Sequence, residues 1–163
     1  MEAIRKALGA LDAAGIPYRL VEHEAVLTIE AMDRLHLENG GVVAKNLFLR
    51  DARGRRHFIV VLPGHKSADL KALRARLGTS ALSFASEERL MRFLGLEKGA
   101  VTPLGVLNDE ERAVEVVFDR ELADLPSIGV HPNRNTATVF LAFADLEALV
   151  RAHGNPVCLV DLP

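Results

Sequence analysis

The stretch "VVAKNLFLRDARGRRHFIVVLP", Val42 to Pro63, sets two apolar runs on either side of the polar tetrad "ARGR". Valine, isoleucine and phenylalanine at this density favour extended chain. Gly54 supplies the positive φ that a tight reversal needs. The stretch predicts a β-hairpin. One pair of residues resists that reading, because Lys45 and Asn46 stand inside an apolar strand. An unpaired buried ammonium is costly, so either the lysine stem carries its charge to solvent or an anionic partner meets it. The sequence leaves both open.

On the N-terminal side, Ile4, Ala7, Leu8, Leu11 and Ala14 recur at helical spacing and Gly15 stands at the position of a left-handed cap. "PYRLVEH" alternates like a strand, and Thr28 is placed to cap a short helix through "IEAMDRLHL" that "ENGG" ends. On the C-terminal side, "SADLKALRARLG" predicts a helix closed by Gly78, "ALSFA" a short strand, and "SEERLMRFLG" a helix from Ser86 to Gly95. "LEKGAVTPLGVLND" has glycine and proline too closely spaced for a regular element. After it come an alternating strand "RAVEVVFD", a polar loop and strand in "SIGVHPNRNTATVFLAF", a capped helix "ADLEALVRAHG", and a last edge strand "PVCLVDL". Irregular alternation of this kind predicts a mixed α/β fold, one domain over residues 1–163, with a largely antiparallel sheet surrounded by helices.

Composition narrows the classes. With 163 residues and 49% hydrophobic content the chain can bury one core. No apolar run reaches the roughly 18 residues of a membrane span, and "MEAIRKALGALDAAG" is charged where a signal peptide is apolar, so a cytoplasmic protein is expected. Cys158 is the single cysteine, which excludes an internal disulfide and paired-thiolate zinc. Its apolar neighbours predict a packed, inert thiol. Net charge is −2, yet the window from Arg50 to Arg76 holds eight cations (Arg50, Arg53, Arg55, Arg56, Lys66, Lys71, Arg74, Arg76) against Asp51 and Asp69. That window carries +6 and the remainder −8. It is either a phosphate-facing surface or a solvated hairpin and helix face.

No Walker loop, GxGxxG or GxSxG is present, so neither ATP, NAD nor a serine elbow is indicated. The six histidines show no HxH or HExxH spacing, and no cofactor or metal is expected, although a site assembled from distant histidines stays open. Besides Lys45 and Asn46, two features carry chemistry. "GAVTP", Gly99 to Pro103, can offer backbone N–H groups where glycine lets a ligand approach. "GVHPNRNTATV" sets His131 in a loop before a strand, either as a structural residue or as a pocket residue.

Together, "VVAKNLFLRD", "LPGHKSADLKALRARLG", "LSFASEERLMRFLGLEKGAVTPLGVLND" and "GVHPNRNTATV" closely resemble the YbaK/ProX family of aminoacyl-tRNA deacylases. That family is similar to the editing insertion domain of bacterial prolyl-tRNA synthetase. The resemblance runs from about Tyr18 to Ala144 and covers no synthetase body, which implies a free-standing editing factor. The "KN" pair and "GVHPN" resemble the alanine-specific ProX branch, which implies hydrolysis of alanyl-tRNA(Pro) with exclusion of prolyl-tRNA(Pro) by size. By that resemblance the catalytic residues are Lys45, Gly99 and His131. Asn46, Ala100, Val101, Thr102 and Pro103 bind substrate around them.

An aminoacyl ester is already activated toward water, so positioning and charge stabilisation suffice. Lys45 would hold the phosphate or ribose of the tRNA 3′ end with Asn46 beside it. Amides from Gly99 to Thr102 would meet the ester carbonyl. His131 would shape the pocket and bind the aminoacyl group or water. Ile29, Met32 and Leu35 are candidates for the wall of a size sieve, with ordinary core packing as the other reading. The expected partners are the acceptor end of tRNA(Pro) and prolyl-tRNA synthetase, with neither membrane nor DNA. Two alternatives stand beside this: a non-catalytic tRNA-binding or regulatory module of the same fold, and a deacylase for cysteinyl-tRNA(Pro) or another small aminoacyl ester.

Overall fold

The hairpin predicted at Val42–Pro63 is the centre of the sheet in the computed structural model, which describes residues 2–23 and 42–163. Strand β2 (Val42–Arg50) pairs antiparallel with β3 (His57–Pro63) from Ala44↔Pro63 to Arg50↔His57. Gly54 turns the chain between them at φ +68. Every residue of β3 is buried, and alternation sends them to two cores. Ile59 and Val61 join the first core cluster, and Phe58, Val60 and Leu62 the second. A strand covered on both faces must be apolar at every position, which is why this run does not alternate.

The remaining elements follow the sequence reading closely. Helix α1 (Glu2–Ala13) buries Ala7 and Leu11, and Gly15 follows at φ +70. Strand β1 is Arg19–Glu22. Helix α2 (Leu70–Leu77) is capped by Asp69 and closed by Gly78 in the left-handed region. Strand β4 is Ser83–Phe84. Helix α3 (Glu87–Leu94) takes Ser86 as its N-cap and Gly95 as its C-cap.

Three segments differ from expectation. Pro103–Asn108 forms a 3-10 helix, begun by proline at its first turn and by Thr102, whose Oγ1 accepts a hydrogen bond from the Leu104 N–H. Strand β5 (Val114–Asp119) does not alternate, because it lies between β3 and β8 with both faces covered. Helix α4 (Phe143–His153) is closed by Gly154, but Ala142 at its start provides no side-chain cap.

Strands β6 (Ile128–Val130), β7 (Ala137–Leu141) and β8 (Val157–Val160) complete the sheet, whose order is β1-β7-β6-β2-β3-β5-β8 with β4 on β2. Of its pairings four are antiparallel and three parallel, so the sheet is mixed. Helices α1, α3 and α4 cover the first face through Leu11, Leu94 and Leu146, and α2 covers the second through Leu73. The turn after β3 presses on β2: a Cβ on Gly64 would lie 2.5 Å from the Val43 carbonyl oxygen.

That close approach predicts that Gly64→Ala lowers stability by about 1–3 kcal/mol. Gly9→Ala, at a helical glycine with nothing within 4 Å of the new methyl, should raise it by about 1 kcal/mol. Urea denaturation of the two variants checks both signs.

Candidate active site

Strand β2 has β3 along one edge and two partners on the other. Strand β6 pairs in parallel at Val42 and Val43, and β4 pairs antiparallel at Leu49 and Arg50. The Ala85 N–H donates to the Phe48 carbonyl, so cover from that side ends at Phe48. Among the described residues, Ala44 to Leu47 therefore have no strand on that edge, a gap of about 13 Å at strand rise. Phe48 turns its carbonyl toward this edge and Val42 its N–H. By alternation the N–H and C=O of Asn46 point into the same gap. Lys45, Asn46 and Leu47 are half-buried here, in contrast to the buried residues on either side.

Alternation also separates the pair that the sequence placed side by side. Ala44 and Phe48 belong to the first core and Leu49 to the second, so Asn46 faces the first and Lys45 the second. Asn46 is thus not beside Lys45 on one surface; the two line opposite lips of the gap. The Asn46 Oδ1 is buried and has no hydrogen-bond partner among the described residues.

Among the described residues Lys45 meets no acid. Its Nζ donates to the Lys66 carbonyl at 2.6 Å. The Lys66 ammonium is turned away, 2.8 Å from Asp119 Oδ2, 3.2 Å from Glu121 Oε2 and 3.0 Å from the Leu162 carbonyl. The Asp119 hydrogen bond raises the Lys66 pKa above the ordinary lysine value, burial opposes it, and Glu121 adds to the rise. Lys66 thus positions Lys45 by its backbone while its own charge is neutralised. One fixed partner leaves two Lys45 N–H directions for an anion.

The parallel register Val42↔Ile128, Val43↔Gly129, continued by two residues, brings His131 level with Lys45. His131 is buried at 7% exposure, and its Nδ1 lies 3.0 Å from the Ala137 carbonyl. Donation there leaves Nε2 with a lone pair, and Nε2 has no partner among the described residues. Burial holds the His131 pKa below the ordinary imidazole value, the Ala137 carbonyl opposes this, and the nearby His23 charge adds to the lowering. The His23 ring lies 6.3 Å from the His131 ring, and its Nε2 is 2.8 Å from Thr138 Oγ1. Phe140 and Thr138 pack directly over Gly129, since a Cβ there would meet Phe140 at 2.8 Å and Thr138 at 3.0 Å.

The Gly99–Pro103 loop packs with the first core, on the Asn46 side, through Val101, with Leu104 just after it and Ala100 buried. Gly99 has φ +88, which suits glycine alone. The Ala100 N–H is occupied by the Glu97 carbonyl at 3.1 Å, so it is not among the amides open to an ester. Those of Gly99, Val101 and Thr102 have no partner among the described residues. Pro103 and Thr102 are buried. Ile29, Met32 and Leu35 lie outside the described residues.

Two further expectations are corrected. Cys158 is exposed on β8, because that strand is the sheet edge and its outward positions face solvent. Neighbouring protein atoms and the Glu115 charge still raise its pKa, which disfavours the reactive thiolate. The basic window is partly neutralised by acids from beyond it: Arg56 pairs with Glu115 at 2.8 Å and Lys66 with Asp119. Sequence reasoning missed the Lys66 anchor and the Asn46 backbone, since both depend on strand register. It also missed Asn133, at 3% exposure and φ +66, whose side-chain N and O are buried without partners among the described residues.

The family model of the aminoacyl-tRNA editing domain matches residues 23–149. The chain belongs to the aminoacyl-tRNA editing domain family. Among relatives of this editing domain, the "Prolyl-tRNA editing protein ProX" of Acetoanaerobium sticklandii is 49% identical over 162 residues, covering 99% of both chains. The "Prolyl-tRNA synthetase associated domain-containing protein 1" of Danio rerio is 41% identical over 152 residues, covering 91% of this chain and 82% of its own. A crystal structure described as that of a proposed trans-editing enzyme for prolyl tRNA synthetase superposes with a TM-score of 0.79 at 20% identity, covering 99% of this chain and 97% of that one. That likeness shows the fold. No helix among the described residues is long and apolar enough to cross a membrane.

Replacing Lys66 with methionine leaves the Asp119 carboxylate, 1% exposed, without its cation. Lys66→Met should cost about 3–5 kcal/mol in urea unfolding, and Lys66→Arg much less. A second expectation concerns pH. Burial also lowers the pKa of His57, with Arg89 adding to it, so His57 and His131 both resist protonation in the fold. Their unfolded forms take up protons as pH falls through about 6.5. Stability should be fully present above that value and decline as pH drops below it. Thermal melts across this range should show the decline, with a smaller one in His57→Phe.

Proposed function

We propose that this editing-domain protein is an aminoacyl-tRNA deacylase that acts in trans, in the cytoplasm, on alanyl-tRNA(Pro), and spares prolyl-tRNA(Pro) by size. The observation that carries the reading is Lys45, a half-buried cation that, among the described residues, has no strand along one edge and is held by a carbonyl and by no acid. Such a group is built for an anion supplied from outside. The 3′ end of a tRNA supplies a phosphate there, and the match to a prolyl-tRNA editing protein over nearly the whole of both chains supports that choice.

In this reading Lys45 holds the terminal phosphate at one lip of the gap. The ester carbonyl lies toward the other, where the open N–H groups of Val101, Thr102 and the Asn46 backbone receive the developing oxyanion. Water adds to the carbonyl carbon, the bond to the ribose oxygen breaks, and alanine and a free tRNA hydroxyl leave. His131, neutral at physiological pH, accepts a hydrogen bond at Nε2 from the attacking water or the alanine ammonium. The neighbouring ribose hydroxyl orients that water. Ile29, Met32 and Leu35 are the residues proposed to exclude proline, since a small pocket rejects a larger side chain more effectively than a large pocket rejects a small one. Prolyl-tRNA synthetase, which makes the mischarged ester, is the proposed partner in supply.

Single-turnover deacylation with alanyl-, cysteinyl-, seryl- and prolyl-tRNA(Pro) tests the proposal. Alanine should be released fastest and proline barely. Lys45→Ala should lower the alanine rate by about 100-fold or more. An unchanged rate in that variant overturns the assigned site, and binding without ester loss assigns the protein to the non-catalytic module.

A further inference from the structure

Of the eight cations between Arg50 and Arg76, four are engaged within the fold. Arg50 donates to the carbonyls of Asp51 and Ala52, Arg56 to Glu115, Lys66 to Asp119, and Arg76 to the Asp161 carbonyl. The other four, Arg53, Arg55, Lys71 and Arg74, are exposed, and their side chains have no partner among the described residues. They fall in two pairs. Arg53 and Arg55 stand at the hairpin tip, and Lys71 and Arg74 on the outer face of α2. The Ala52 N–H donates to Ser80 Oγ at 3.0 Å, which ties the loop after α2 to the tip.

Beside them is Phe84, a large apolar side chain at 64% exposure. Its pairing with Leu49 turns it to the same side of the sheet as Leu47 and Lys45, and α2 packs on that side through Leu73. Nearby acids are mostly occupied. Asp51 accepts from the N–H groups of Arg55 and Arg56, Asp69 caps α2, and Glu87 lies 3.7 Å from Lys98. Among acids from Arg50 to Arg92, Glu88 alone has no partner among the described residues.

Free cations around an exposed ring match RNA chemistry: phosphates take the guanidinium and ammonium groups, and an unpaired base stacks on the aromatic face. The rest of the chain carries −8 outside the Arg50–Arg76 window, so RNA is repelled elsewhere and focused here. Along β2 the region begins five residues from Lys45, about 16 Å at strand rise. We propose that the hairpin tip, the outer face of α2 and Phe84 form the docking surface for the acceptor stem of the tRNA whose esterified end reaches Lys45. Arg53, Arg55, Lys71 and Arg74 hold the stem phosphates, and Phe84 stacks on a base where stem gives way to single strand. The inference rests on the deacylase reading for the identity of the RNA, and not for the affinity itself.

The test measures binding of uncharged tRNA(Pro), and of an RNA hairpin with the acceptor-stem sequence, by fluorescence anisotropy at several salt concentrations. The combined variant Arg53→Ala, Arg55→Ala, Lys71→Ala, Arg74→Ala should bind more weakly, with a salt slope shallower by about 1 for each phosphate that is no longer neutralised. Phe84→Ala should weaken binding of a hairpin with a 3′ overhang by at least about 5-fold and that of a blunt hairpin little. All five positions are exposed, and thermal melts verify that the variants fold. Wild-type affinity and slope in the combined variant overturn the proposal, as does the absence of salt-dependent RNA binding by the wild type, which would leave the surface to another anionic partner. Hydrolysis of an alanyl ester on a short CCA fragment, too short to reach the surface, should be equal in wild type and combined variant. Failure of both to hydrolyse it refutes the deacylase reading and leaves the binding result intact.

Discussion

The structure depends on how β2 satisfies its two edges. On one it runs against β3 for seven residue pairs, and on the other it meets β6 only at its start and β4 only at its end. A strand in the middle of a sheet normally has its backbone covered on both sides, because unpaired N–H and C=O groups away from water are costly. Among the described residues no strand covers Ala44 to Leu47 on that edge, which leaves a slot beside the backbone. By alternation Lys45 is turned to the second face and Asn46 to the first. The His131 loop follows β6, and the Gly99 loop packs with the first core through Val101.

The same slot explains the disposition of charge. A lysine in a buried strand needs a fixed but incomplete set of partners if it is to bind anything else. The turn after β3 supplies one carbonyl from Lys66, pressed into place where Gly64 meets the Val43 carbonyl. The Lys66 side chain, which would compete for the same anion, is drawn to Asp119, Glu121 and the Leu162 carbonyl. Burial and strand geometry thus distinguish two cations that are alike in sequence. The hairpin arginines divide in the same manner, Arg56 closing onto Glu115 while Arg53 and Arg55 stay open.

Among the described residues, Asn46 Oδ1 and both side-chain polar atoms of Asn133 are buried without hydrogen-bond partners, as is Thr79 Oγ1 after α2. In most folds such groups find a hydrogen bond. Asn133 stands two residues after His131.

By itself the sequence determined the hairpin and the helices with their caps at Ser86, Gly78 and Gly95, and it singled out Lys45, Gly99 and His131 as candidates. These were legible because caps, turns and apolar runs are local, and because a charge in an apolar strand is conspicuous. Only the tertiary structure decided that Lys45 and Asn46 look to opposite faces, that the Ala100 amide is occupied, that Cys158 is exposed on an edge, and which cations remain open. Each of those facts turns on which strand lies beside which and in what register. Partners such as Glu115 and Asp119 stand more than fifty residues from the arginine and lysine they neutralise. Local pattern carries no information about pairings made at that range.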